Sequence, residues 1–236
     1  FQTQTIRNQT RASRGVGSNS GAFITNINTN NYLSYAKSWG RHKIDATAGM
    51  QYQNSQAKYN FTEGLDFPSD SYQKIASAAT KSGGSSSEQE FAFLAYFVRA
   101  NYSLMDKYLV SASFRKDASS RFGKDNRVGN YPSISAGWVM SNEKFMSGLD
   151  FLSFLKLRAS WGLVGNAEIN NFASRTLISG DAGYTGTPGQ RPIQLGNNNL
   201  GWETTEQVDV GIDFGLFKNR ITGEILSLIH ISEPTR

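Results

Sequence analysis

The stretch that decides the fold is Leu94-Ala95-Tyr96-Phe97-Val98-Arg99-Ala100-Asn101-Tyr102-Ser103-Leu104, then Met105-Asp106-Lys107, then Tyr108-Leu109-Val110-Ser111-Ala112-Ser113-Phe114-Arg115. Successive side chains of a β-strand point to opposite faces. In the first run Leu94, Tyr96, Val98, Ala100, Tyr102 and Leu104 share one face, and Arg99, Asn101 and Ser103 take the other. In the second run Tyr108, Val110, Ala112 and Phe114 oppose Ser111, Ser113 and Arg115. The short link between them predicts an antiparallel hairpin. Working outward, the same alternation returns in Ile134, Ala136, Trp138 and Met140 against Ser133, Ser135 and Gly137. It returns in Leu155, Leu157, Ala159, Trp161 and Leu163 against Lys156, Arg158, Ser160 and Gly162, and in Val208, Val210, Ile212, Phe214 and Leu216 against Asp209, Gly211, Asp213 and Gly215. A weaker pair precedes them, Asn31 to Trp39 and Ile44 to Tyr52. The fold class is all-β.

The chain has 236 residues, 12% aromatic and 18% charged, with no Cys. The aromatics argue against a disordered tail, and a disulfide scaffold needs cysteines. No apolar run is long enough for a transmembrane helix. The net charge of +5 is scattered rather than gathered on one stripe, which disfavours nucleic-acid binding. What separates the remaining all-β classes is the run length and the linker rhythm. Runs of about ten residues match a tilted strand crossing a bilayer. Short connections near Trp39-Gly40-Arg41-His42, Leu104–Lys107 and Phe217-Lys218-Asn219-Arg220 alternate with long ones near 54–88, 116–131 and 165–201. The connection Ser141 to Phe151 holds a short-turn place, and Ser71 to Ala79 reads as a short helix inside the first long loop. This rhythm predicts antiparallel strands of an outer-membrane β-barrel, about 8–10 of them in this chain.

The pattern then meets a family. Asp106 to Asp117, Ser119-Ser120-Arg121-Phe122-Gly123-Lys124-Asp125-Asn126-Arg127, Tyr131-Pro132-Ser133-Ile134-Ser135-Ala136-Gly137-Trp138, Leu155 to Gly162, Gly165-Asn166 and Asn199-Leu200-Gly201-Trp202-Glu203-Thr204-Thr205-Glu206-Gln207 through Ile221 follow in order. These blocks resemble the SusC/RagA-type TonB-dependent transporters and cover the middle and later two-thirds of the chain. The resemblance implies an outer-membrane barrel of Bacteroidota that imports glycans or peptides. Its implied partners are a SusD-type surface lipoprotein, outer-membrane lipid and the inner-membrane TonB–ExbB–ExbD machine. It also implies a 22-stranded parent with a plug in the lumen. The chain starts at Phe1 without Met or signal peptide, and neither plug nor TonB box is visible, so it reads as a fragment with open sheet edges. At the other end the alternation resumes in Ile221-Thr222-Gly223-Glu224-Ile225 and then stops. Residues 226–236 resemble the in-frame translation of a sequencing adapter, so the expected division is 1–225 partial barrel and 226–236 non-native.

No catalytic constellation stands out. His42 and His230 have no metal-binding spacing, no Ser lies in a Gly-x-Ser-x-Gly elbow, and Gly15-Val16-Gly17-Ser18 lacks the Lys of a phosphate loop. The chain is not expected to be an enzyme, and no cofactor is implied. Asp117, Asp125 and Asn126 are calcium candidates without an EF-hand frame, so a charged loop is the plainer reading. Under the barrel reading Arg99, Asn101, Arg115, Arg158, Asp209 and Asp213 face the lumen or plug, or simply form a hydrated wall. Tyr96, Tyr102, Tyr108, Trp138 and Trp161 suit aromatic girdles at the membrane interfaces. Tyr184 and Trp202, in loops, are candidate substrate contacts. Two other readings stay open: a passive porin or structural outer-membrane barrel, and a soluble β-sandwich carbohydrate-binding module.

Overall fold

The computed structural model describes residues 2–7, 15–69 and 71–233, so 234–236 of the adapter-like tail lie outside it. Eleven strands are described: β1 (Gln2–Arg7), β2 (Val16–Trp39), β3 (His42–Leu65), β4 (Thr80–Leu104), β5 (Tyr108–Ser119), β6 (Val128–Val139), β7 (Leu152–Asn166), β8 (Leu177–Tyr184), β9 (Thr187–Gln194), β10 (Glu203–Leu216) and β11 (Ile221–Glu233). Nine form one sheet in the order β1-β2-β3-β4-β5-β6-β7-β10-β11, and β8 and β9 pair separately. β1 and β11 stand at the edges, so this sheet is not closed. The chain is a run of hairpins with one insertion, because β10 returns to β7 past the β8–β9 pair.

The described residues divide into two compact units, Phe1–Ile27 with Gln53–Phe91, and Asn28–Tyr52 with Ala92–Arg236. In the first, β3 and β4 continue into a region expected to be loop. Polar side chains hold them together: Asn54 Nδ2 donates to Glu90 (3.2 Å), Gln56 Nε2 to Glu88 (2.6 Å) and Ser82 Oγ to Glu63 (2.9 Å). Backbone pairing needs no apolar face, so the strands run on where the alternation fades. The loop proper is 66–79, and only Ile75–Ser77 is helical, as one 3-10 turn. Phe67 and Ala78 are buried there, and the Asp66 N–H is bonded to the Gly15 carbonyl at 3.1 Å.

In the second unit the registers confirm the two faces. Ala100 pairs with Ala112, Ala112 with Ile134, Ile134 with Trp161 and Trp161 with Val208, one apolar row across five strands. Met105 and Asp106 both have positive φ (57° and 55°), the central geometry of a type I′ turn that matches strand twist, closed by the Lys107 N–H on the Leu104 carbonyl at 3.0 Å in the three-residue link to Tyr108. The apolar row is largely uncovered: Tyr96, Val98, Val110, Phe114, Ile134, Val210 and Ile212 are all exposed. A soluble sandwich would cover that face with a second sheet. Among the described residues no second sheet is paired over it, and the apolar face stays exposed.

β11 pairs with β10 from Ile221 to Glu233, through the segment read as adapter-derived. Pairing asks only for extended backbone. The side-chain pattern does change there. Glu224 lies opposite Asp213 on the polar face, but the next two residues on that face are Leu226, opposite Gly211, and Leu228, opposite Asp209.

Candidate functional site

The polar face of β3–β7 and β10 carries several hydrogen-bonded clusters. Asn101 Nδ2 donates to Asp45 (3.2 Å), its Oδ1 accepts from Ser111 Oγ (2.7 Å), and Arg99 Nε donates to the same oxygen (3.2 Å). Arg115 Nε donates to both oxygens of buried Asp117 (2.7 and 2.9 Å), while its Nη2 reaches Gln51 at 3.2 Å. Ser113 and Ser133 share a hydrogen bond at 2.7 Å. Ser160 Oγ donates to Asp209 at 2.9 Å, and Gln207 Nε2 reaches the same carboxylate at 3.1 Å. Arg158 bridges three strands, with Nε on Asp213 (3.0 Å) and Nη2 on Glu224 (3.1 Å). Its side chain lies across Gly211, where an added Cβ would meet Nε at 3.0 Å. All six sequence-chosen wall residues therefore lie on this face. Arg99, Arg115, Asp117, Tyr131, Ser133 and Asp209 line a cavity of about 610 Å³.

The aromatic candidates fall into separate groups. Tyr102 OH lies 2.7 Å from His42 Nδ1, and His42 stacks on Trp39 at 5.5 Å, beside the short turns. Tyr108 stacks on Trp138 at 6.5 Å, and Trp138 meets Phe145 edge-on at 6.3 Å. Glu143, which the sequence reading passed over, ties this corner together. Its carboxylate accepts from Lys107 Nζ (2.8 Å), Tyr108 OH (2.8 Å) and Trp138 Nε1 (3.3 Å). Those donors, Lys107 first, hold its carboxyl down at about 2 from an ordinary 4.5. Tyr96 and Trp161 lie farther along their strands. Trp161 Nε1 donates to Glu206 at 2.6 Å, and Tyr96 is exposed opposite Lys116.

The loop candidates part company. Tyr184 is 80% exposed at the β8–β9 turn. Trp202 is half-buried and packs on other rings, 4.7 Å from Phe122, 5.5 Å from Tyr131 and 6.2 Å from Phe93 by ring centroid, with Nε1 donating to the Arg127 carbonyl at 3.0 Å. Of the calcium candidates, Asp117 is engaged by Arg115 and Asn126 Nδ2 by the Asn199 carbonyl at 3.0 Å, while Asp125 is exposed. Among the described residues no group of three or more His, Asp or Glu is placed to hold a metal ion.

A two-faced sheet of this kind has known counterparts. Residues 1–230 match the family model described as TonB dependent receptor-like, beta-barrel. The chain belongs to that family. It is 36% identical over 208 residues to the TonB-dependent receptor SusC of Bacteroides thetaiotaomicron, covering 85% of this chain and 20% of that protein. It is also 36% identical over 195 residues to a TonB-dependent receptor of Formosa agariphila, covering 81% of this chain and 19% of that one. Among solved structures, the RagAB peptide importer in its closed-closed state superposes with a TM-score of 0.89 at 25% identity, over 98% of this chain and 26% of that one. The family is one of outer-membrane proteins, and these relatives are named as receptors and an importer rather than as enzymes. The chain spans about a fifth of the curated relatives' length.

Proposed function

We propose that this chain is part of the barrel wall of an outer-membrane TonB-dependent active transporter, which imports glycans or peptides with a surface lipoprotein partner. The observation that carries the reading is the split between the two faces of one sheet layer. Exposed Val110, Phe114, Ile134 and Val210 suit lipid, and the opposite face is a hydrogen-bonded polar wall. In this reading Arg99, Asn101, Arg115, Arg158, Asp209 and Asp213 face the lumen and its plug. Tyr102, Tyr108 and Trp138 belong to one aromatic girdle, with Tyr96 and Trp161 toward the other. Tyr184 is the exposed loop aromatic suited to touch cargo, while Trp202 holds its loop in place. The wall occupies 1–225, and the loss of polar-face alternation at Leu226 and Leu228 supports that boundary.

The experiment is uptake in the native bacterium by strains with and without the gene. Labelled oligosaccharides and peptides are supplied separately, before and after collapse of the proton-motive force. Uptake of one class that needs both the gene and the energised membrane is expected. Gene-dependent uptake that persists in de-energised cells would refute active transport in favour of a passive porin. Copurification of a surface lipoprotein with the tagged receptor tests the partner.

A further inference from the structure

From the loop chemistry we infer that the receptor carries an oxyanion-binding site at the mouth of the barrel wall. Three segments build it: the β5–β6 loop, the segment after β7 and the segment before β10. Lys124, Arg127 and Arg175 line a cavity of about 340 Å³ together with Ser174, Thr176 and Asn198. No carboxylate lines it, and none of the three cations forms an ion pair among the described residues; Asp125, next to Lys124, is exposed. Arg175 lies over the Phe172 ring at 5.6 Å, which leaves it without an anionic partner. Three such cations around one small polar cavity repel one another, and an anion relieves that repulsion.

The second observation is Arg127 Nε, which is buried and has no hydrogen-bond partner. A buried donor left unbonded carries a desolvation cost that a ligand oxygen would recover. The neighbouring Arg121 is different, since its Nε donates to Asn171 (2.8 Å) and its Nη1 to the Ala167 carbonyl (3.1 Å). The scaffold around the cavity is stitched by the backbone. Gly123 N–H donates to the Leu200 carbonyl at 2.9 Å, and Gly196 N–H to Thr176 Oγ1 at 3.0 Å. Gly123 and Gly196 permit these approaches, because a Cβ at either would run into the backbone of Asn198 or Thr176. The cations are thus held on fixed segments rather than waving from a free loop.

Sulfate, phosphate and a sugar or peptide carboxylate share the chemistry that such a site recognises, charge plus several acceptor oxygens. The Arg127 carbonyl anchors Trp202, whose cluster includes Phe93 and Tyr131 on the polar, lipid-averted face. That placement favours an anionic group borne by a solute over a lipid phosphate. The assignment to cargo rests on the import reading; oxyanion affinity itself does not, and it is measured without transport.

The test is calorimetric titration of sodium sulfate and sodium phosphate into the intact receptor in lipid-free detergent, at ionic strength fixed with sodium chloride. Saturable binding is expected, weakened at least tenfold in the double variant Lys124→Gln/Arg175→Gln and in Arg127→Met. Lys124 and Arg175 are exposed, so the double variant reports on the site even if Arg127→Met fails to fold. No saturable binding, or affinity unchanged in the double variant, overturns the site. Binding seen only to vesicles containing lipid A, and not to the inorganic ions in detergent, overturns the assignment to a solute.

Discussion

Phe122→Ala is the sharpest test of how the long loops are held. Phe122 is fully buried, 4.7 Å from Trp202 by ring centroid, in the loop whose Gly123 N–H is bonded to the Leu200 carbonyl. Removing a buried Phe side chain costs about 3–5 kcal/mol through lost transfer energy and the cavity left behind. The cluster sits between two loops and not under the whole barrel, so the loss should appear as local opening. At about 1.4 kcal/mol per tenfold, that cost is on the order of 10²–10³ in the opening equilibrium. Hydrogen exchange by mass spectrometry on the intact receptor reads it directly. Peptides covering 120–127 and 197–202 should exchange faster by that factor, while the β4–β5 turn at Met105-Asp106 stays unchanged. Trp202→Phe keeps a ring and loses the Nε1 bond to Arg127, net about 1 kcal/mol, so its acceleration should be only about fivefold. Exchange within threefold of wild type at both loops in Phe122→Ala would refute this anchoring. Uniform acceleration across the barrel would show that the cluster supports the whole fold instead.

Three further outcomes follow from the same contacts. Glu143 is held at about 2 by Lys107, Tyr108 and Trp138, so its contribution is complete above its ordinary 4.5 and declines as pH falls from there toward 2. Exchange at the Val139 amide, bonded to the Lys107 carbonyl at 2.8 Å, should therefore be flat from pH 7 to 5 after correction for intrinsic rate and rise below that range; Glu143→Gln should raise it already at neutral pH. Tyr131 OH is buried without a partner, so Tyr131→Phe should leave thermal stability equal or higher by up to about 1–3 kcal/mol; a loss of that size would reveal a missed partner. Arg158→Met removes two ion pairs on a side chain 35% exposed, and such pairs contribute at most about 1 kcal/mol, so assembly in the membrane and heat resistance should change little by gel-shift assay.

The strand faces were legible because a single layer with one apolar and one polar face enforces strict alternation. Ala100, Ala112, Ile134, Trp161 and Val208 could each be assigned to the apolar face of its strand from parity alone, and the registers set them in one row. Where solvent bathes both faces that constraint lapses, and β3 and β4 past Gln53 hid as loop behind Gln–Glu and Asn–Glu pairs. The role of Trp202 was illegible for another reason: a loop aromatic looks the same whether it meets a ligand or Phe122, whose position depends on how two distant loops meet. Glu143 was hard to single out too, since two of its three donors, Lys107 and Tyr108, come from the β4–β5 hairpin and only Trp138 is near it in sequence.

The cations of the wall and those of the mouth are treated differently, a difference that the proposed import would use. Arg115 is matched to Asp117 and Arg158 to Asp213 and Glu224, while Arg99 is hydrogen-bonded to Asn101. A charge already satisfied by its neighbours offers little to a passing solute. A translocation path needs that property, because a solute that binds strongly within it does not leave. Among the described residues Lys124, Arg127 and Arg175 form no ion pair. Unmatched charge at the entrance concentrates an anionic solute there and raises its rate of encounter, an effect that weakens as salt rises. If this division holds, replacing the mouth cations should reduce capture of an anionic cargo at low concentration and leave the maximal uptake rate unchanged. Replacing Asp117, which frees Arg115, should do the reverse, slowing maximal uptake of the same cargo while its capture persists. Equal effects of both sets on both parameters would remove the distinction.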